Sequence, residues 1–195
     1  MILSANMKRE LLLTFALIAL LFDCALAQQS QRLTIETEAG KQTVLSEAEI
    51  ESLPHVKISV PASHGSDKRV TYEGVALKLL LEKSGVTFGE SLRGKRMASC
   101  LLVEAADGYR VVIALPEIDS AFTDKQVVLA FQEDGKPLNS KEAPYRLVIP
   151  DEKRMARWVR QVTTLKIVEL APIPRPAIRM VNAVNPASRR MPRNE

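Results

Sequence analysis

The amino-acid sequence predicts an α+β domain built on a mixed β-sheet. Three observations support this fold class: many short runs alternate apolar and polar residues, two Asp-Gly pairs lie between such runs, and helical spacing is confined to short segments. Alternation with a period of two is typical of strands, and Asp-Gly supplies the positive backbone dihedrals of a tight hairpin turn. Strands that outnumber short helices indicate an α+β domain.

The N-terminal part of the domain begins with a predicted hairpin. The stretch RLTIETEAGKQTVL alternates and then turns at Gly40. Ser46 and Glu49 have the spacing of a capping box, which predicts a short helix that ends before Pro54. The stretch HVKISVP alternates again and predicts a strand. After a polar loop, VTYEG is extended and VALKLLLEKSG predicts a helix, with Gly85 just beyond its end.

The C-terminal part of the domain contains the strongest hairpin pattern. Two apolar runs flank Asp107-Gly108 in SCLLVEAADGYRVVIAL. Pro116 predicts a single helical turn. A second strand and turn surround Asp134-Gly135. Two further strands are predicted at YRLVIP and VTTLKIVEL, separated by a basic turn or short helix, DEKRMARWVRQ.

Residues 1–27 have the pattern of a signal peptide. The charged stretch MKRE precedes the apolar run LLLTFALIALLF, and Ala25-Leu26-Ala27 is a small-x-small cleavage pattern. A bilayer-spanning helix needs about 20 apolar residues, more than this run contains. We therefore predict a periplasmic or secreted protein with no stable membrane span after cleavage, and a retained anchor is the alternative. Residues 28–170 form the predicted domain.

Residues 171–195 are rich in proline and arginine and predict a flexible tail. The tail carries five arginines and one glutamate, a net charge of +4, which equals the net charge of the whole chain. Residues 28–170 have 20 basic and 20 acidic residues. The basic balance therefore does not indicate a nucleic-acid-binding domain. The tail is either a solvated extension or a weak contact for an acidic partner or anionic lipid.

Few residues in the sequence could hold a metal ion or act as a nucleophile. His55, His64 and Cys100 have no metal-ligand spacing, so we predict no metal site. Cys100 starts an apolar strand and is expected to be a small buried side chain. Lys95 and Arg96 lie just upstream, which leaves an activated thiol as the alternative. No two carboxylates are paired by their sequence positions, so no catalytic residue is assigned.

The most distinctive polar cluster lies in PDEKRMARWVRQ. Arg154, Arg157 and Arg160 would share one face at helical spacing, beside Trp158, the only tryptophan. Guanidinium groups suit phosphate or carboxylate ligands. The alternative is a solvated basic face with Trp158 buried in the core.

Four segments resemble a known family in their order: YEGVALKLLLEKSGV, VEAADGYRVVIALPEID, VVLAFQEDGKPL and APYRLVIPDEKRMARWVRQVTTLKIVE. Over residues 56–170 the chain is similar to the sulfite-oxidase-type oxidoreductase molybdopterin-binding domain. That family includes sulfite-oxidising enzymes and periplasmic sulfoxide reductases. The resemblance implies an α+β mixed-sheet fold around a molybdopterin pocket, with Arg154, Arg157 and Arg160 as the cofactor-binding residues.

The chain departs from this family at the metal ligand. In active members the cysteine that ligates molybdenum lies upstream of the segment matching YEGVAL, and HVKISVPASHGSDKRVT contains no cysteine. A thiolate is a soft ligand that serine or histidine does not replace unchanged. We therefore predict a reduced, exported member that binds a pterin or another small anion, with redox turnover in question.

Two alternative functions stay open at the level of sequence. One is a non-enzymatic periplasmic module that contacts a redox or signalling partner protein. The other is an active molybdopterin-dependent oxidoreductase in which His64 or Cys100 has become the metal ligand.

Overall fold

The computed structural model describes residues 32–63 and 65–170. The predicted signal peptide, the predicted tail and His64 lie outside these residues. Within them the chain forms ten strands and two short α-helices. The strands are β1 (Arg32–Glu36), β2 (Gln42–Ser46), β3 (His55–Pro61), β4 (Arg69–Ala76), β5 (Ser99–Ala105), β6 (Arg110–Ala114), β7 (Val128–Glu133), β8 (Lys136–Pro137), β9 (Arg146–Val148) and β10 (Val162–Glu169). The helices are α1 (Glu47–Glu51) and α2 (Leu77–Lys83).

Two sheets organise these strands. The first has the order β2-β1-β10-β5-β6 and is mixed, because β1 and β10 pair in parallel while its other pairs are antiparallel. The second has the order β3-β4-β7-β8, with β9 also paired to β7, and is antiparallel. This architecture confirms the predicted α+β class with a mixed sheet.

One hydrophobic core joins the two sheets. Its cluster includes Leu33 and Leu165 from the first sheet and Leu129 and Leu147 from the second, all fully buried. The helix α2 adds three buried leucines through its inward face. Burying apolar side chains on both sheets is the main favourable contribution to folding a domain of this size.

The hairpins and the helix start that the sequence predicted from turn and capping residues are present in the structure. The β1–β2 and β5–β6 hairpins form as expected. At the start of α1 the Glu49 amide donates to the Ser46 hydroxyl at 3.3 Å, and the Ser46 amide donates to the Glu49 carboxylate at 2.8 Å. The predicted capping box is therefore confirmed.

The start of α2 differs from the sequence prediction, which placed helical residues from Val75 onward. In the structure Val75 pairs with Leu129 and Ala76 with Val128, so β4 continues to Ala76. At these two residues, strand pairing between β4 and β7 outweighs the helical spacing of the apolar side chains. The helix begins at Leu77.

Candidate functional site

The segment between β9 and β10 forms a wall of two neighbouring cavities. The larger has a volume of about 600 Å³, and we call it the basic cavity. Its polar and aromatic lining comes from the β5–β6 turn, the loop before β9, the first residue of β9 and the segment after β9. The lining includes Tyr109, Lys141, Glu142, Arg146, Trp158 and Arg160.

Arg146, the first residue of β9, is the most enclosed cation of the basic cavity. Its guanidinium lies 5.2 Å from the ring centre of Tyr72 and 5.6 Å from that of Trp158. It forms an ion pair with Glu142, and its Nε is buried without a hydrogen-bond partner. Aromatic faces favour a cation at such distances. In the described part of the chain, Glu142 is the one carboxylate that forms an ion pair with Arg146.

Trp158 fixes the position of this guanidinium. The Trp158 indole nitrogen donates a hydrogen bond to the Ile149 carbonyl oxygen at 2.9 Å. The side chain is buried. The ring is therefore a rigid wall, as expected for a buried tryptophan whose N–H is satisfied.

The mouth of the basic cavity carries further cations. Lys141 and Arg160 are exposed, and neither forms an ion pair among residues 32–63 and 65–170. Asp107 adds one negative charge on the β5–β6 turn. The Tyr109 hydroxyl donates to the Ala156 carbonyl oxygen at 2.7 Å, which joins this turn to the segment before Trp158.

The three arginines singled out from the sequence occupy different environments. Met155–Arg157 form only one 3-10 turn, so the predicted shared helical face does not exist. Arg160 lines the basic cavity. Arg154 is exposed and lines neither this cavity nor the two described below. Successive turns of an α-helix would be needed to align them, and the chain passes into β10 instead.

Arg157 is held by two carboxylates. Its Nη2 lies 3.1 Å from Glu117 Oε2, and its Nε donates to Glu152 Oε1 at 2.7 Å. The hydrogen bond with Glu117 is the largest influence that raises the pKa of Arg157. Two paired carboxylates leave this guanidinium little attraction for an external anion. Its position indicates that Arg157 links the turn after β6 to the turn before Trp158.

The second cavity lies beside the loop between β3 and β4, and we call it the loop cavity. Its volume is about 280 Å³. It shares Met155 and Trp158 with the basic cavity. Its polar lining includes Ser59, Ser63, Arg69, Asp151 and Glu152.

The loop cavity borders the segment in which active members of the resembled family carry their molybdenum-ligating cysteine. Among the described residues, the groups there that could coordinate a metal are hydroxyls and carboxylates. Glu152 Oε2 is buried there without a hydrogen-bond partner. No described residue of this loop offers a thiolate.

Cys100 is a buried residue of β5, as the sequence predicted. Its thiol donates a long hydrogen bond, 3.6 Å, to the Val168 carbonyl oxygen of β10. Burial raises the pKa of the thiol. Cys100 lines neither the basic cavity nor the loop cavity. Its geometry is that of a packing residue.

His55 is engaged at both ring nitrogens. Nδ1 lies 3.1 Å from Glu73 Oε1, and Nε2 lies 2.8 Å from the Glu51 carbonyl oxygen. The ring also packs edge-on against Phe131. Residues 32–63 and 65–170 contain no group of three or more histidine, cysteine or acidic side chains placed to hold a metal ion.

A third cavity, of about 540 Å³, lies beside α2. Lys78 lines it and pairs with the fully buried Asp119 at 2.8 Å. Asp119 also accepts hydrogen bonds from the amides of Gly89 and Ala121. All hydrogen-bonding groups of this cluster have partners, which indicates a structural role.

No helix in the described residues is long and apolar enough to cross a membrane.

Sequence reasoning missed Arg146, Glu142 and Lys141. Arg146 is the first residue of the otherwise apolar strand RLV. A charged side chain at such a position needs a partner of opposite charge. Glu142 lies four residues earlier, but no helix connects the pair. Their ion pair depends on how the loop before β9 folds, which sequence spacing does not indicate.

Comparison with known proteins is consistent with this fold. Curated proteins give no match. Among solved structures, the chain is similar to a crystal structure of the sulfane dehydrogenase SoxCD from Paracoccus pantotrophus, with a TM-score of 0.56 and 23% sequence identity. The alignment covers 72% of this chain and 38% of that chain, so the likeness concerns the fold of one part of a longer protein.

The sequence profile of the oxidoreductase molybdopterin binding domain matches residues 22–171, most of the chain. The matched residues form both sheets and line the two cavities that share Met155 and Trp158. The resemblance expected from the order of the four sequence segments is thereby confirmed. The chain belongs to the oxidoreductase molybdopterin binding domain family.

Proposed function

We propose that this domain binds a small anionic ligand in the basic cavity, with molybdopterin as the first candidate, and that it does not carry out molybdenum redox turnover. The observation that carries the proposal is the Arg146 guanidinium, enclosed by Tyr72 and Trp158. At the cavity mouth, Lys141 and Arg160 form no ion pair with any residue that the structure describes. Guanidinium and ammonium groups around an aromatic wall suit a planar ligand that carries a phosphate or carboxylate.

The donor groups of the described residues do not fit a thiolate-held molybdenum. The molybdenum centre of this family is held by a thiolate, a soft ligand, and the loop cavity provides oxygen donors from Ser59, Ser63, Asp151 and Glu152. Cys100 is buried between β10 and β6 in the first sheet and donates to Val168. We therefore assign no step to a bound molybdenum.

The organic part of the cofactor fits better than the metal. Arg160 and Lys141 would hold its phosphate, and Trp158 would flank its planar ring. Molybdopterin is a phosphorylated pterin, and a cavity of about 600 Å³ lies in the usual range for small-molecule sites. Arg157 is proposed as a positioning residue that anchors the turn before Trp158, and Arg154 as a residue outside the site.

Export and partner binding belong to the same proposal. The signal-peptide pattern at residues 1–27 supports a periplasmic or secreted protein. A redox or signalling protein in that compartment would be the partner. The basic residues 171–195 are the proposed contact segment, because they carry a net charge of +4.

The test is to express the full chain in a host that makes molybdopterin. Molybdenum is measured by elemental analysis, and pterin by fluorescence after acid release. We expect bound pterin without stoichiometric metal. The double variant Arg160→Ala/Lys141→Ala should lose most of the pterin, whereas Arg154→Ala, a matched exposed arginine, should retain it.

Other outcomes support the alternatives. Stoichiometric molybdenum would show an active enzyme with an altered ligand and contradict the proposal. Absence of both pterin and metal, together with a partner retained only when residues 171–195 are present, would support an interaction module instead.

A further inference from the structure

We propose that anion binding in the basic cavity is coupled to the uptake of a proton by the carboxyl pair of Glu133 and Glu142. The inference rests on the proposed function, because it concerns the same cavity. It adds a regulation: a ligand would bind more tightly as the pH falls.

The first step concerns the counter-ion of Arg146. Its side chain is 14% exposed and that of Glu142 is 12% exposed, so the pair is largely withdrawn from water. Both residues line the basic cavity. An anionic ligand that reaches Arg146 competes with Glu142 for the same guanidinium. When it succeeds, Glu142 is left as a largely buried carboxylate without its cation, which is costly.

The second step concerns the neighbour of Glu142. Glu133 is the last residue of β7 and is half-buried. Burial and the negative charge of Glu142 raise the pKa of Glu133, and Arg146 acts in the opposite direction. In the sheet Glu133 is directly opposite Tyr72, whose ring centre lies 5.2 Å from the Arg146 guanidinium, which places Glu133 on the side of the sheet that carries Arg146. Two carboxyl groups that share one cation take up a proton when that cation is withdrawn.

The third step concerns the surrounding groups that could titrate instead. The pKa of Tyr72 is raised to about 12, mainly by burial, so Tyr72 stays neutral. Glu142 also accepts a hydrogen bond from the Asn139 amide at 3.1 Å, which does not titrate. The Asp134 carboxylate accepts from the Thr71 amide at 2.8 Å. The remaining charged groups near the pair or on the cavity wall are Lys136, which is opposite Glu133 in β8, and Lys141, Asp107 and Arg160.

These groups and Asp134 are all exposed, so a bound anion leaves none of them buried without a charge partner. The Glu133–Glu142 pair is therefore the group whose protonation would change on binding. By linkage, one proton taken up per ligand strengthens binding by up to about tenfold per pH unit.

The experiment uses inorganic sulfate, whose charge is constant between pH 5 and 8, and the fluorescence of Trp158, the only tryptophan in the chain. Sulfate is titrated into the full chain at several pH values. Calorimetry in buffers with different ionisation heats counts the protons taken up. We expect affinity to rise at least fivefold from pH 8 to pH 5.5, with close to one proton per sulfate.

Two variants test the assignment of the proton. Glu142→Gln should bind sulfate more tightly at pH 8 and lose most of the pH dependence. Glu133→Gln should also lower proton uptake, which keeps the test valid if Glu142→Gln folds poorly. Asp107→Asn is the charge control, since it removes one cavity carboxylate away from Arg146. It should raise affinity at every pH and leave the slope unchanged.

The outcomes separate this inference from the function on which it rests. Sulfate binding that needs Arg160 and Lys141 but does not vary with pH would overturn the proton coupling and leave the anion site standing. Equal pH slopes in the wild type and Glu142→Gln would overturn it as well. No sulfate binding at any pH would contradict both.

Discussion

The Arg146 guanidinium lies 5.6 Å from the ring centre of Trp158 and makes its ion pair with Glu142 on the wall of the basic cavity. This relationship joins the stability of the domain to its candidate site. The largely buried Glu142 depends on Arg146 for its charge partner. The aromatic ring in turn gives Arg146 a fixed position.

Replacing Arg146 by alanine should therefore destabilise the fold. We expect a loss of about 3 kcal/mol in the free energy of unfolding, because removing one partner leaves a largely buried charge unpaired. Urea denaturation followed by Trp158 fluorescence measures the change. Arg154→Ala is the control and should have little effect. An unfolding free energy unchanged in Arg146→Ala would show that the pair contributes nothing to stability.

Gly74 is the second test of the fold. A side-chain carbon at this position would lie 2.6 Å from Ala130 Cα and would also overlap the Leu129 carbonyl oxygen, where β4 and β7 shift register. Gly74→Ala should cost at least about 3 kcal/mol or abolish folding. Thermal unfolding by circular dichroism checks it.

The comparison variant is Gly40→Ala, at a positive φ of 75° with no atom within 4 Å of the added carbon. Strain in the backbone alone predicts a cost of about 1 kcal/mol there. Equal costs at both positions would contradict the close approach of β4 and β7.

Asp119 predicts a dependence of stability on pH. Burial alone would raise its pKa, but the hydrogen bonds from Lys78 and from the amides of Gly89 and Ala121 outweigh burial, so the pKa is lowered. A carboxyl with a lowered pKa stabilises the fold above its unfolded pKa, about 3.9, and loses this contribution as the pH falls through the folded value.

Asp119→Asn should accordingly cost about 2–3 kcal/mol at pH 7. The difference from the wild type should shrink below about pH 4. Denaturation at pH 7, 5 and 3 measures it. The control is Lys57→Ala, which removes an exposed partner of Glu73 and should change little. A difference that grows on acidification would show that the sign is wrong.

Cys100 should behave as a packing residue. In a Cys24→Ser background, a disulfide reagent should leave the native thiol unmodified and react with one thiol per chain after unfolding, because the side chain is buried and its pKa is raised by burial. Cys100→Ser should cost about 1 kcal/mol and leave pterin and sulfate binding unchanged. Fast labelling of the native protein, or lost binding in Cys100→Ser, would refute this role.

Local signals in the sequence predicted much of the fold. Gly40, the Ser46–Glu49 capping box and Asp107-Gly108 each determine their own turn, because the hydrogen bonds and dihedrals involved are local. The order of segments also led to the correct family. The start of α2 was placed two residues early, because Val75 and Ala76 are held by pairing with a strand more than 50 positions away.

The sequence by itself determined the two-residue periodicity of the strands, the expected burial of Cys100, and the absence of a cysteine from HVKISVPASHGSDKRVT. The tertiary structure alone decided which arginine can meet a ligand. It pairs Arg157 with Glu117, 40 positions away, and places Arg146 against Trp158 and Glu142. It also leaves Arg160 at a cavity without an ion pair to any other described residue. Charge compensation depends on distances across the folded chain, and composition carries no information on those distances.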